Sequence, residues 1–73
     1  MKYLVKIGCD TEVHEMIMDS KSDAGAFIID YLAVSDVTDP NFRVLESRCD
    51  REDPEIFVRT SNGMVHAYPC TVN

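Results

Sequence analysis

No apolar run in this 73-residue chain approaches the roughly 20 residues that a membrane-spanning helix requires. The opening Met-Lys-Tyr-Leu-Val-Lys-Ile is too short and too charged for a signal peptide, so a cytoplasmic location is expected. Basic charge is scarce: seven Lys and Arg stand against thirteen Asp and Glu, a formal charge of -6, which opposes direct recognition of nucleic acid through its phosphates. A charged partner would itself be basic, such as the surface of a nucleic-acid-binding protein, although the same charge also serves to keep a small domain in solution. Cysteine is present in an odd number, Cys9, Cys49 and Cys70. A disulfide framework normally uses an even count in an oxidising compartment, so reduced thiols are the default.

Chemical motifs are missing too. There is no Gly-rich phosphate loop, no G-x-S-x-G and no HExxH. Cys9, Cys49, Cys70, His14 and His66 are suitable ligand types for zinc, yet no C-x-x-C or H-x-x-x-H spacing brings two together, and no cofactor or metal is expected. The acidic run Asp50, Glu52, Asp53, Glu55 lacks the glycine and the alternating order of a calcium loop, and reads as an acidic surface turn. A non-enzymatic chain follows, since neither a nucleophile with its base nor a paired-carboxylate arrangement is signalled. Internal repeats, linkers and low-complexity segments are absent, so residues 1 to 73 are read as a single α+β domain.

What is present is one segment with a sustained helical period, residues 20 to 34. Ala24, Phe27, Ile28, Tyr31 and Leu32 fall at i, i+3, i+4, i+7 and i+8 and form one stripe that must be buried. Ser20 is placed to cap the helix, with Asp23 completing a weak capping box and favouring the N-terminal dipole. Gly25, beside the stripe, would let the helix approach its support closely. Ala26, Ile29 and Ala33 make a thinner apolar strip on a different side.

Short strands flank the helix. In residues 2 to 8, Tyr3, Val5 and Ile7 alternate with Lys2, Leu4 and Lys6, the pattern of a half-buried strand. Gly8 to Thr11 supplies a turn, and Glu12 to Met18 resumes the extended pattern with its facing ambiguous: Val13, Glu15 and Ile17 on one side, His14, Met16 and Met18 on the other. After a loop from Val34 to Asn41, Phe42 to Arg48 reads as a strand with Phe42 and Val44 on one face and Leu45 on the other, so either both faces are partly covered or a bulge shifts the register. Ile56 to Thr60 and Met64 to Tyr68 flank Asn62-Gly63, the pair favoured at the centre of a type I′ hairpin turn. Pro69 is expected to end the pairing, with Cys70 to Asn73 as a tail. The order ββαβββ implies one helix packed on a mainly antiparallel sheet of about five strands.

Centring the last hairpin on Asn62-Gly63 sets Ser61 opposite Met64, Arg59 opposite His66 and Phe57 opposite Tyr68. The compact set Ile56, Val58, Thr60, Val65 and Ala67 is the better core, so Phe57, Arg59, Met64, His66 and Tyr68 face outward. Aromatic, Arg and Met side chains are enriched at protein interfaces, which makes these five a candidate partner-binding surface; alternatively Phe57 and Tyr68 form only a stabilising cross-strand pair.

The opening KYLVKI, the hairpin before a Ser-capped helix and the strand-turn-strand around TSNGMVHAY resemble the layout of very small phage-encoded inhibitors, including anti-CRISPR proteins that block a Cas nuclease or surveillance complex. The resemblance implies an inhibitor that binds a host protein, with acidic charge suited to a basic surface, and it carries over no functional residue. Two other roles stand beside this one: a structural homodimer or subunit of a larger assembly, and a small metal-binding or catalytic domain.

Overall fold

A computed structural model describes residues 1–9 and 12–71. The turn residues Asp10 and Thr11, and Val72 and Asn73 of the expected tail, lie outside the described residues. The elements are β1 (Lys2–Cys9), β2 (Glu12–Met18), α1 (Lys21–Thr38), β3 (Val44–Arg48), β4 (Ile56–Thr60) and β5 (Gly63–Cys70). All strand pairs are antiparallel, in the sheet order β2-β1-β5-β4-β3. The first hairpin therefore meets the last strand through β1 and β5, and α1 connects one sheet edge to the other across one face. Among the described residues, no helix is long and apolar enough to cross a membrane.

The helix-side face holds the core. Tyr3, Val5 and Ile7 of β1, Ile56 and Val58 of β4, and Val65 and Ala67 of β5 are buried beneath Ala24 and Ile28, with Phe27, Tyr31 and Leu32 half-buried beside them. Full burial of a Val or Ile side chain stabilises by about 1.5–3 kcal/mol, so this small set carries much of a small domain's marginal stability. The ambiguity in β2 is resolved by its partner strand. Met16 lies opposite Val5 and Met18 opposite Tyr3, so both methionines pack on the core while Val13, Glu15 and Ile17 turn outward.

Ser20 caps α1 as its type predicts, its Oγ accepting from the Asp23 N–H at 3.1 Å. The helix runs to Thr38, a turn beyond the expected end at Val34. Ser35 and Thr38 favour loops when their hydroxyls compete for the backbone, but here each donates to the carbonyl four residues back, Tyr31 O and Val34 O, both at 2.9 Å. Pro40 then forces Asp39 into extended backbone and ends the helix. β3 begins at Val44 rather than Phe42, and its register against β4 shifts between Val44 and Glu46, which places the bulge at Leu45.

The last hairpin differs from expectation in register. Thr60 pairs with Gly63, Arg59 with Met64, Phe57 with His66 and Ile56 with Ala67, so Ser61 and Asn62, not Asn62 and Gly63, are the two turn residues. The neighbouring loop selects this register. Asn62 Nδ2 donates to Asp39 Oδ2 at 2.6 Å, Ser61 Oγ donates to Asn41 O at 3.1 Å, and the Ser61 and Arg43 backbones are joined by Ser61 N to Arg43 O at 2.9 Å. Thr60 Oγ1, buried at the turn, donates to Gly63 O and accepts from Asn62 N. Because the partners move by two residues and the pleat repeats every two, the face assignment is unchanged.

Pro69 does not end the pairing: it lies in β5 opposite Tyr3, and Cys70 opposite Lys2. β4 pairs no further than Ile56 with Ala67, so β5 has only one neighbour at Pro69 and its missing N–H can face an open side.

Three expectations follow. A methyl added at Gly25 would stand 3.9 Å from Ile56 Cδ1, an ordinary contact, so the glycine is not needed for close approach. Gly25→Ala should raise stability by about 0.5–1 kcal/mol through helix propensity, measured by denaturant unfolding. Gly63, with φ 155°, sits in mirror-extended backbone that side-chain-bearing residues rarely adopt, so Gly63→Val should lower stability by about 1–3 kcal/mol in the same assay. The Asp39 carboxylate is held below its ordinary value of 3.8, chiefly by the Asn62 amide and then by the Asn41 N–H. A depressed folded-state pKa contributes stability above the unfolded value that is lost as pH falls through the folded one, so Asp39→Asn should flatten the acid limb of the stability curve below pH 3.8.

Candidate functional site

Among the described residues, no element covers the face of the sheet opposite α1. Pleating assigns its residues: Phe57 and Arg59 alternate with buried Ile56, Val58 and Thr60, and Met64, His66 and Tyr68 alternate with buried Val65 and Ala67. All five residues expected on the outer face are there. Arg59 and Met64 are exposed, while Phe57, His66 and Tyr68 are half-buried among their neighbours.

Three rings form a row across β4 and β5. Phe57 and His66, directly opposite in register, meet edge to face with centroids 5.9 Å apart, and His66 lies 5.0 Å from Tyr68 along β5. The row therefore passes through His66, and Phe57 and Tyr68 are not cross-strand partners. Cations cover its two ends. The Arg48 guanidinium stands 4.7 Å from the Phe57 ring centroid and Lys6 Nζ 5.8 Å from that of Tyr68, within the range of cation–π attraction. The Lys6 ammonium is held above its ordinary pKa, chiefly by the Tyr68 phenol oxygen and then by the Glu15 carboxylate.

Carboxylates frame the same face. Glu46 Oε1 lies 3.1 Å from Arg48 Nε and its Oε2 3.6 Å from Arg59 Nε, while Glu15 lies 3.7 Å from Lys6 Nζ. Glu55 Oε2 is 3.1 Å from His66 Nε2. A shallow cavity of about 210 Å³ opens here, lined by Arg48, Asp53, Glu55, Phe57 and His66. Its mixture of ring faces, a guanidinium and two carboxylates suits a polar side chain better than a large apolar ligand.

The acidic run divides. All four are exposed, but only Asp53 and Glu55 line the cavity; Asp50 and Glu52 do not. The loop is shaped by its own side chains: Asp50 Oδ1 accepts from Glu52 N at 3.1 Å and Asp53 Oδ1 from Glu55 N at 2.9 Å. Lys21 Nζ, from the first turn of α1, donates to the Asp50 and Asp53 carbonyls at 3.0 and 2.5 Å and fastens the loop to the helix.

Arg48, Lys6 and Glu46 belong to this face but were not among the expected site residues. Alternation in β1 already set Lys6 opposite the core. Arg48 was hidden by the bulge at Leu45, which breaks the pattern of β3. Four of the five candidate zinc ligands are dispersed, the side chain of Cys9 lying outside the description: His14 belongs to the helix-side set of β2, His66 to the outer face, Cys49 is exposed and Cys70 half-buried at the end of β5. Among the described residues, no group of three or more His, Cys, Asp or Glu side chains is placed to hold a metal ion. No family model, curated protein or solved structure matches the chain.

Proposed function

We propose that this chain is a small acidic protein-interaction module, without catalytic activity, that binds a protein partner through the outer face of its sheet. The observation that carries the reading is the aromatic row Phe57, His66 and Tyr68 on an uncovered sheet face, beside a cavity and between Arg48, Arg59 and Lys6. Rings and arginines at the centre of a patch are the side chains on which interface affinity concentrates, and Met64 adds an adaptable apolar contact. The charge of -6 favours a basic partner surface, such as that of a nucleic-acid-binding protein. The resemblance to phage-encoded inhibitors supplies the role: a phage or mobile-element inhibitor, anti-CRISPR-like, acting in the host cytoplasm.

Replacement by Ala at Phe57, Arg59 or Tyr68 should weaken association with a partner captured from host cytosol by about 1–2 kcal/mol or more. Stability should change less, because the core set lies on the opposite face and edge-to-face ring contacts add only about 0.5–1.5 kcal/mol. Rising ionic strength should weaken binding to a basic partner, whereas an apolar homodimer would be nearly indifferent. Unchanged partner binding in both Phe57→Ala and Tyr68→Ala overturns the assignment.

A further inference from the structure

Helix α1 is apolar on two sides. Beyond the buried stripe, Ala26, Ile29, Ala33 and Val37 recur at spacings of three and four residues, which at 3.6 residues per turn aligns them on the side turned away from the sheet. Ile29 is 68% exposed and Val37 85%. Val34, 61% exposed, widens the patch, and Ala33, Val34, Val37 and Thr38 line a shallow depression of about 270 Å³. Ala26 and Ala33 leave room between the larger residues for another helix to come close.

The rims of this stripe carry one sign of charge. Asp23 and Asp30 flank it on one side and Asp36 on the other, all exposed. Lys21 is the only basic residue in α1, and its Nζ is engaged by the Asp50 and Asp53 carbonyls. We infer that this face is a docking surface for a basic amphipathic helix of a partner protein, with apolar side chains against Ile29, Ala33 and Val37 and Lys or Arg over the aspartates. Charge complementarity selects this occupant. A second copy would set Asp23, Asp30 and Asp36 against their own kind, and an anionic membrane would be repelled in the same way. The surface lies on the opposite side of the molecule from Phe57 and Tyr68, so it stands apart from the sheet-face reading.

The test uses a synthetic helical peptide with Leu along one face and Lys and Arg flanking it, and a control peptide with Glu in place of each Lys and Arg. Binding to the full chain is read by fluorescence anisotropy at low and high salt. The basic peptide should bind and weaken with salt, and the Glu peptide should not bind. Ala33→Glu adds negative charge but blocks the seat, so it should weaken the basic peptide about tenfold or more. Ile29→Ala, which trims the patch without adding charge, should also weaken it, and Phe57→Ala should not. Circular dichroism and thermal unfolding confirm that each variant is folded. Absence of binding overturns the proposal, as does tighter binding by Ala33→Glu, which would mean simple attraction to an acidic surface. Equal loss in Phe57→Ala overturns it too, as does a wild-type dimer in sedimentation that Ala33→Glu dissociates.

Discussion

One helix can cover only one face of a sheet, and the rest of this structure follows from that limit. At 1.5 Å per residue the 18 residues of α1 extend about 27 Å, enough to cross five strands spaced about 4.8 Å apart but not to blanket them. The buried side chains accordingly concentrate under it, on β1, β4 and β5, where Val5, Val65 and Ala67 are almost wholly excluded from water. β3, at the far edge, is exposed throughout. Edge β2 carries Glu12 and Glu15 on a largely exposed strand, and edge β3 carries a bulge with Glu46 and Arg48, features that discourage unwanted strand pairing.

With so small a core, polar fastenings at the two ends of the helix fix how the loops lie. Near its N-terminus Lys21 sits where the helix dipole disfavours a cation, yet its two bonds to the carbonyls of Asp50 and Asp53 offset that and fold the acidic loop against the helix. Just past the C-terminus Asp39 receives the Asn62 amide, and Asn41 and Arg43 receive Ser61, so the tip of the last hairpin is tied to the segment that leaves the helix. The first fastening places Asp53 and Glu55 at the mouth of the cavity beside His66. The second sets the register that brings Phe57 opposite His66. Both features of the candidate surface thus depend on contacts made far from it in sequence.

Charge is distributed unevenly around the sheet. Lys2, Lys6, Arg48 and Arg59 belong to the outer face, each beside a carboxylate, while Asp23, Asp30 and Asp36 line the solvent side of α1. The net acidity is therefore a property of the helix and loops more than of the aromatic face. The two sides therefore differ in character: rings and mixed ion pairs on one, and an apolar stripe rimmed by aspartates on the other.

Periodicity was legible without any structure, because burial on one side imposes it. The alternation of Tyr3, Val5 and Ile7, the stripe from Ala24 to Leu32, and the choice of Val58 and Val65 over Phe57 and Tyr68 as core all follow from chain geometry and one apolar face. These together dictate the ββαβββ order and the outward side of the last hairpin. Other features required the fold. The helix passes Ser35 and Thr38 because their hydroxyls find carbonyls within it, and Pro69 stays in β5 because β4 has already ended there. The turn shifts by one residue because Asp39, 23 residues before Asn62, is brought beside it. Local propensity ranks Asn62-Gly63 first; a tertiary hydrogen bond outweighs that preference, and only the packed chain brings its donor and acceptor together.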